Sequence, residues 1–127
     1  MKKFFQFLAL SLMMVVAVAC SQGSAAINKA FDEACQAQSA EKVATTLCNG
    51  HIKCSTLTPD EAAKLGAVLG YITFTGMYSA NFNAQVDMHE FGKLLDEYKA
   101  LQLRQDGTDK QLIEEYTKQI FSTRTLE

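Results

Sequence analysis

Between Leu65 and Ala80 the chain runs for sixteen consecutive positions without a charged residue. The stretch has a marked start. Thr58-Pro59-Asp60-Glu61 supplies a capping hydroxyl, a proline in the first helical position and two acids at the positive end of the helix dipole. Within the stretch, Ala62, Gly66 and Gly70 recur at spacing four, while Leu65, Val68, Leu69, Ile72 and Phe74 cover the other sides. A helix that is apolar around its whole circumference has no face to give to water, so it needs neighbours on every side. The chain is therefore expected to be all-α, a small bundle of about four to five helices with this one at its centre. Small residues at spacing four suit close packing of helices in a core. The same pattern marks paired membrane helices, but sixteen residues reach only about 24 Å, short of a hydrocarbon layer of about 30 Å.

The remaining apolar residues also recur at helical spacing, and no stretch alternates with period two. Ile27, Phe31, Ala34 and Cys35 form one stripe; Val43 and Leu47, flanked by Ala40 and Ala44, form a second. At about 100° per residue the two stripes lie roughly opposite, so one straight helix cannot bury both. A break is expected over Gln36–Ser39, with Ser39 capping the second piece and Asn49-Gly50 ending it, Gly50 in the left-handed conformation. Ser79 to Val86 is asparagine-rich and reads as a loop. Asp87 with Glu90 opens a long helix striped by Phe91, Leu94, Leu95, Tyr98 and Leu101, and Asp106-Gly107 ends it. Thr108 with Gln111 opens a last helix carrying Leu112, Ile113, Tyr116 and Ile120.

The first nineteen residues follow another logic. Met1-Lys2-Lys3 is a cationic start, Phe4 to Ala19 is an apolar run broken only by Gln6 and Ser11, and Ala17-Val18-Ala19 stands directly before Cys20. This is the layout of a secretory signal peptide. The cysteine after the small residues resembles the lipobox of bacterial lipoproteins, with Ala17 where such motifs usually carry leucine. The resemblance covers residues 1 to about 21. It implies that Cys20 becomes the lipid-modified first residue of the mature chain, anchored in the cell envelope. It further implies that Ser21 favours the outer membrane in a Gram-negative cell. An ordinary cleavage after Ala19 with soluble secretion is the alternative. The expected organisation is a signal peptide over 1–19, a flexible tether over 20–24 and a single helical domain over 25–127.

Charge excludes one class of partner. The chain has 12 basic and 14 acidic side chains, and losing Lys2 and Lys3 leaves a mature balance of −4. There is no basic field for gripping nucleic acid.

With Cys20 lipidated, Cys35, Cys48 and Cys54 remain. An exported protein favours disulfides, and Cys48–Cys54 across the Asn49-Gly50 turn is the expected pair, with Cys35 as an alternative partner for either. Cys48, His51 and Cys54, three residues apart each, are also types that hold zinc or cuprous copper. That spacing fits no standard motif, so a metal site is the alternative and no cofactor is expected. His89 at a helix start beside Asp87 and Glu90 reads as a solvated residue rather than a general base. No nucleophile or metallohydrolase motif is present. Tyr71, Phe74, Met77, Tyr78 and Phe82 read as core aromatics or as a face for an envelope protein or a small apolar ligand. The expected function is a non-enzymatic binding or structural module at a membrane; the alternative is a metal-binding or thiol-redox module.

Overall fold

The computed structural model describes residues 22–76, 79–104 and 108–125, with backbone only at 22 and 123–125. The signal-peptide segment, Cys20, Met77, Tyr78 and Asp106-Gly107 lie outside the described residues. Among the described residues the fold consists of six helices and a 3-10 turn, with no strand: α1 (Gln22–Cys35), α2 (Ala40–Asn49), the 3-10 turn (Cys54–Thr56), α3 (Pro59–Thr75), α4 (Ala80–Gln85), α5 (Met88–Leu103) and α6 (Lys110–Thr125). The architecture is the expected all-α bundle, with one more helix than the sequence pattern marks.

The uncharged helix is at the centre. α3 packs against α1, α2 and α6, and Leu65, Ala67, Val68, Leu69, Tyr71 and Ile72 are all buried. Its start is built as the sequence prescribes. The Thr58 hydroxyl accepts from the Glu61 N–H (3.2 Å), and the Glu61 carboxylate accepts from the Thr58 N–H (2.8 Å). The stripe of small residues divides in two. A side chain at Gly66 would press on the ring of Tyr98 from α5 (3.1 Å to Cζ) and on Ile113 Cδ1 of α6 (3.4 Å), so this glycine admits a close approach. Gly70 is exposed with nothing within 4 Å of a Cβ placed there. It is not a packing position.

The break between the first two stripes closes α1 with a Schellman motif. The Ala37 N–H donates to the Ala34 carbonyl (3.0 Å) and the Gln38 N–H to the Glu33 carbonyl (3.0 Å). Ser39 then caps α2 by accepting from the Lys42 N–H (3.2 Å). The buried Tyr71 donates its hydroxyl to the Gln38 carbonyl (2.6 Å), which ties the corner to α3.

Four local expectations are corrected. Gly50 is right-handed (φ −79°), and the left-handed residue is His51 (φ 46°) one position on, because Gly50 completes the last turn of α2. Helix α6 is opened by Asp109, not Thr108; its carboxylate accepts from the N–H groups of Gln111 (3.0 Å) and Leu112 (3.2 Å). The stretch read as loop holds α4: Ser79 caps it at the Phe82 N–H (3.1 Å), and the fully buried Phe82 ring meets Phe91 edge-on at 5.3 Å. Gln22, Gly23 and Ser24, read as part of a flexible tether, already belong to α1.

At the first turn of α1, Gly23 lies against Ile52, and a Cβ at Gly50 would collide with Ala26. Further along, Lys64 of α3 bonds Asn28 (3.0 Å) and lies over the rings of Phe31 and Tyr116, 5.5 and 5.4 Å from their centres. Tyr116 in turn donates to Asp60. The beginnings of α1 and α3 and the turn after α2 therefore form one end of the bundle. The corner at 36–39, the Gly76–Ala40 approach and the exposed Phe74 belong to the other. No described helix is long and apolar enough to cross a membrane.

Candidate functional site: the cleft between α2 and α5

The turn that leaves α2 and the first half of α5 enclose a half-open cleft of about 180 Å³. Leu47, Ile52 and Leu94, all buried, make its apolar part, and Cys48, His51, Lys53, Glu90, Lys93 and Glu97 complete its lining. Each wall follows from local sequence. Glu90, Lys93, Leu94 and Glu97 recur at spacing three and four, which places them on one face of α5. The left-handed backbone at His51 turns the chain so that Ile52 goes inward while His51 and Lys53 stay exposed. Glu97 also borders a neighbouring cleft of about 160 Å³ lined by Cys54, Ser55, Ala100, Leu101 and Arg104. Its carboxylate accepts the Cys54 N–H at 3.3 Å and pins the 3-10 turn to α5.

Cys35, Cys48 and Cys54 are free thiols. The expected Cys48–Cys54 disulfide, and either bridge from Cys35, does not form. The segment between Cys48 and Cys54 does not fold back as a hairpin; it buries Ile52 and sends the two sulfurs to different clefts. Burial, with Asp87 and Glu90 adding to it, pushes the Cys48 thiol up to about 11. Burial and Glu97 push Cys54 up to about 11 as well, and Cys35 is raised by burial and by Asp32. Burial and neighbouring carboxylates both disfavour the thiolate, where a reactive cysteine needs positive surroundings. Among the described residues no group of three or more His, Cys, Asp or Glu side chains is arranged to hold a metal ion, so Cys48, His51 and Cys54 are not brought together as ligands.

Among the described residues, the aromatics over 71–82 that read as core or as a binding face do not lie on one face. Tyr71 and Phe82 are core residues, 1% and 0% exposed, on different helices. Phe74 is 78% exposed, with its ring against Phe121 at 5.5 Å. Because α3 ends at Thr75, the helical register that would align Phe74 with Phe82 does not continue. His89 is exposed in the first turn of α5 and does not line the cleft that holds His51. The residues that sequence reasoning missed are Lys53, Glu90, Lys93 and Glu97. Their one signal is the three-four spacing on α5, which reads equally as a wetted helix face.

Fold and cleft define a small helical-bundle protein with an amphiphilic crevice. Comparison with protein-family models, with curated proteins and with solved structures returns no match.

Proposed function

We propose that this chain is an exported, lipid-anchored envelope protein that acts by binding, with the α2–α5 cleft as its contact site. The observation that carries the anchored reading is the Met1-Lys2-Lys3 start, the apolar run and the small residues set directly before Cys20. Cleavage there leaves the modified cysteine two positions ahead of a helical bundle, which is the arrangement of a module held at a bilayer surface. One acyl chain gives only reversible attachment, so stable anchoring implies more than one chain on Cys20.

A binding role fits the chemistry of the cleft. Lys53 and Lys93 lie near Glu90 and Glu97 around an apolar patch, a surface able to take a short peptide segment or a small amphiphile. The thiols nearby are held protonated, so they suit packing better than nucleophilic attack.

The test is mass spectrometry of the protein isolated from its own membranes after mild cross-linking. A mature chain beginning at acylated Cys20, and release of the Cys20→Ala protein into the soluble fraction, are the expected results. A retained leader or an unmodified Cys20 thiol overturns the anchored reading. Cross-links that survive charge reversal at both Glu90 and Lys93 in a folded protein overturn the cleft as the contact site.

A further inference from the structure

Lipid attachment at Cys20 leaves this bundle very little freedom. Only Ser21 separates Cys20 from Gln22, the first residue of α1, and two chain steps span at most about 7 Å. The start of α1 is itself fixed to the body. Gly23 lies 3.5 Å, measured from its missing Cβ, from Ile52 Cα, and Ala26 packs against Gly50. One turn away, Ser24 faces Glu61 at the start of α3 and helps hold its carboxyl below the usual carboxylate range. What lies near the lipid is thus a whole end of the bundle.

We propose that this end, made by the first turn of α1, the turn His51–Lys53 and the start of α3 at Thr58-Pro59, is a docking surface for the phospholipid headgroup layer. The proposal rests on the lipid-anchor reading of Cys20 and adds an orientation to it. The occupant follows from the length of chain outside the described residues: a connection of about 7 Å brings no other surface as close to the bilayer. The exposed groups at this end suit headgroups. His51, Lys53, Thr58 and Pro59 are exposed. The acids here hydrogen-bond within the bundle, Asp60 with the Tyr116 hydroxyl and Glu61 with the Thr58 N–H. The opposite end, with Ser39, Lys42 and Phe74, stands one length of α1 away, about 21 Å for fourteen residues. The cleft holding Lys53 then opens beside the membrane.

Lysine footprinting tests the orientation on the full mature protein. The lipidated protein in vesicles of phosphatidylethanolamine and phosphatidylglycerol is treated with a water-soluble amine-acylating reagent, beside the unanchored Cys20→Ala form. Peptide masses report the rate at each lysine and the state of residue 20. Lys53 is expected to react several-fold more slowly on vesicles than in the unanchored form, while Lys42 at the far end reacts equally in both. Equal reactivity of Lys53 in the two forms, with the lipid present on Cys20, overturns the docking surface and leaves the anchor standing. An unmodified Cys20 overturns both. Protection of Lys42 with Lys53 left reactive overturns the orientation by showing the bundle inverted.

Discussion

Replacing Ala37 by glycine is expected to stabilise the protein, and the size of the gain can be worked from the corner between α1 and α2. Ala37 sits at φ 59°, the left-handed position of the Schellman motif that ends α1. An L-residue there costs about 1–2 kcal/mol from the approach of Cβ to its own backbone. Glycine removes that strain but brings about 0.5–1 kcal/mol of extra freedom in the unfolded chain. Ala37 is exposed, so losing the methyl group forfeits no core packing. The net is a gain of about 0.5–1 kcal/mol, or roughly 2–6 °C in Tm for a domain of this size. The corner is fixed by bonds the substitution leaves alone: Gln38 N–H to the Glu33 carbonyl, the Ser39 cap and the Tyr71 hydroxyl on the Gln38 carbonyl. Thermal unfolding followed by helical circular dichroism measures the shift, and urea unfolding with an unchanged m-value shows that the native state is the same. Gln36→Gly, one residue earlier and without positive φ, is the control and is expected to lower stability by about 0.5–1 kcal/mol. If Ala37→Gly destabilises as much as Gln36→Gly does, the strain argument is refuted.

The two glycines of α3 are expected to respond with opposite signs. Gly70→Ala, entering open space on an exposed helix position, should gain close to 1 kcal/mol of helix propensity, whereas Gly66→Ala must displace the buried Tyr98 ring and should cost about 1–3 kcal/mol; melting temperatures of the two variants decide. Cys48 and Cys54, raised to about 11, should be alkylated by iodoacetamide at pH 8 about 100-fold more slowly in the folded protein than in denaturant, from the thiolate fraction alone. Fast labelling of either at neutral pH would show that burial and the nearby carboxylates do not hold these thiols protonated. The hydrogen bond to Asp60, with burial and charge adding to it, pushes Tyr116 up to about 12, so its neutral form is favoured by folding. That contribution is complete below pH 10 and is lost as pH rises toward 12. Ultraviolet titration should show the tyrosine step near 12 moving toward 10 in Asp60→Ala and disappearing in Tyr116→Phe.

What the sequence made legible is what a few neighbouring residues decide. The caps at Ser39, Thr58 and Asp87 satisfy orphan N–H groups with a side chain two or three residues away, and each bonds in the structure as the residue types prescribe. The central place of α3 was legible for a related reason, since a charge-free circumference excludes every solvated position. The misreadings share one cause, dependence on a partner far along the chain. Six residues from Ala80 to Gln85 make a helix only because Phe82 finds Phe91 to pack against. The aromatics at 71, 74 and 82 suggested a face because the spacing gave no sign that α3 stops at Thr75. The cysteines suggested a bridge because spacing says how near two sulfurs can come and nothing of which cleft each will enter.

The candidate site is the sharpest case of that dependence. Glu90, Lys93 and Glu97 are indistinguishable in sequence from the wetted face of an amphipathic helix, and on α5 alone that is what they would be. They line a cleft because Cys48, Ile52 and Lys53, some forty positions earlier, form the opposite wall. That wall exists because Gly50 completes α2 in the right-handed conformation and His51 takes up the reversal. His51 holds a backbone geometry that costs an L-residue free energy and that glycine, its immediate neighbour, would hold without strain. Moving the glycine one place, as Gly50→Ala with His51→Gly, would relieve that strain but drive a Cβ into Ala26 at the start of α1. The glycine is therefore placed where two helices touch, the strain falls on the residue that turns the chain toward the cleft, and the packing of α1 and the shape of the site are set by the same two positions.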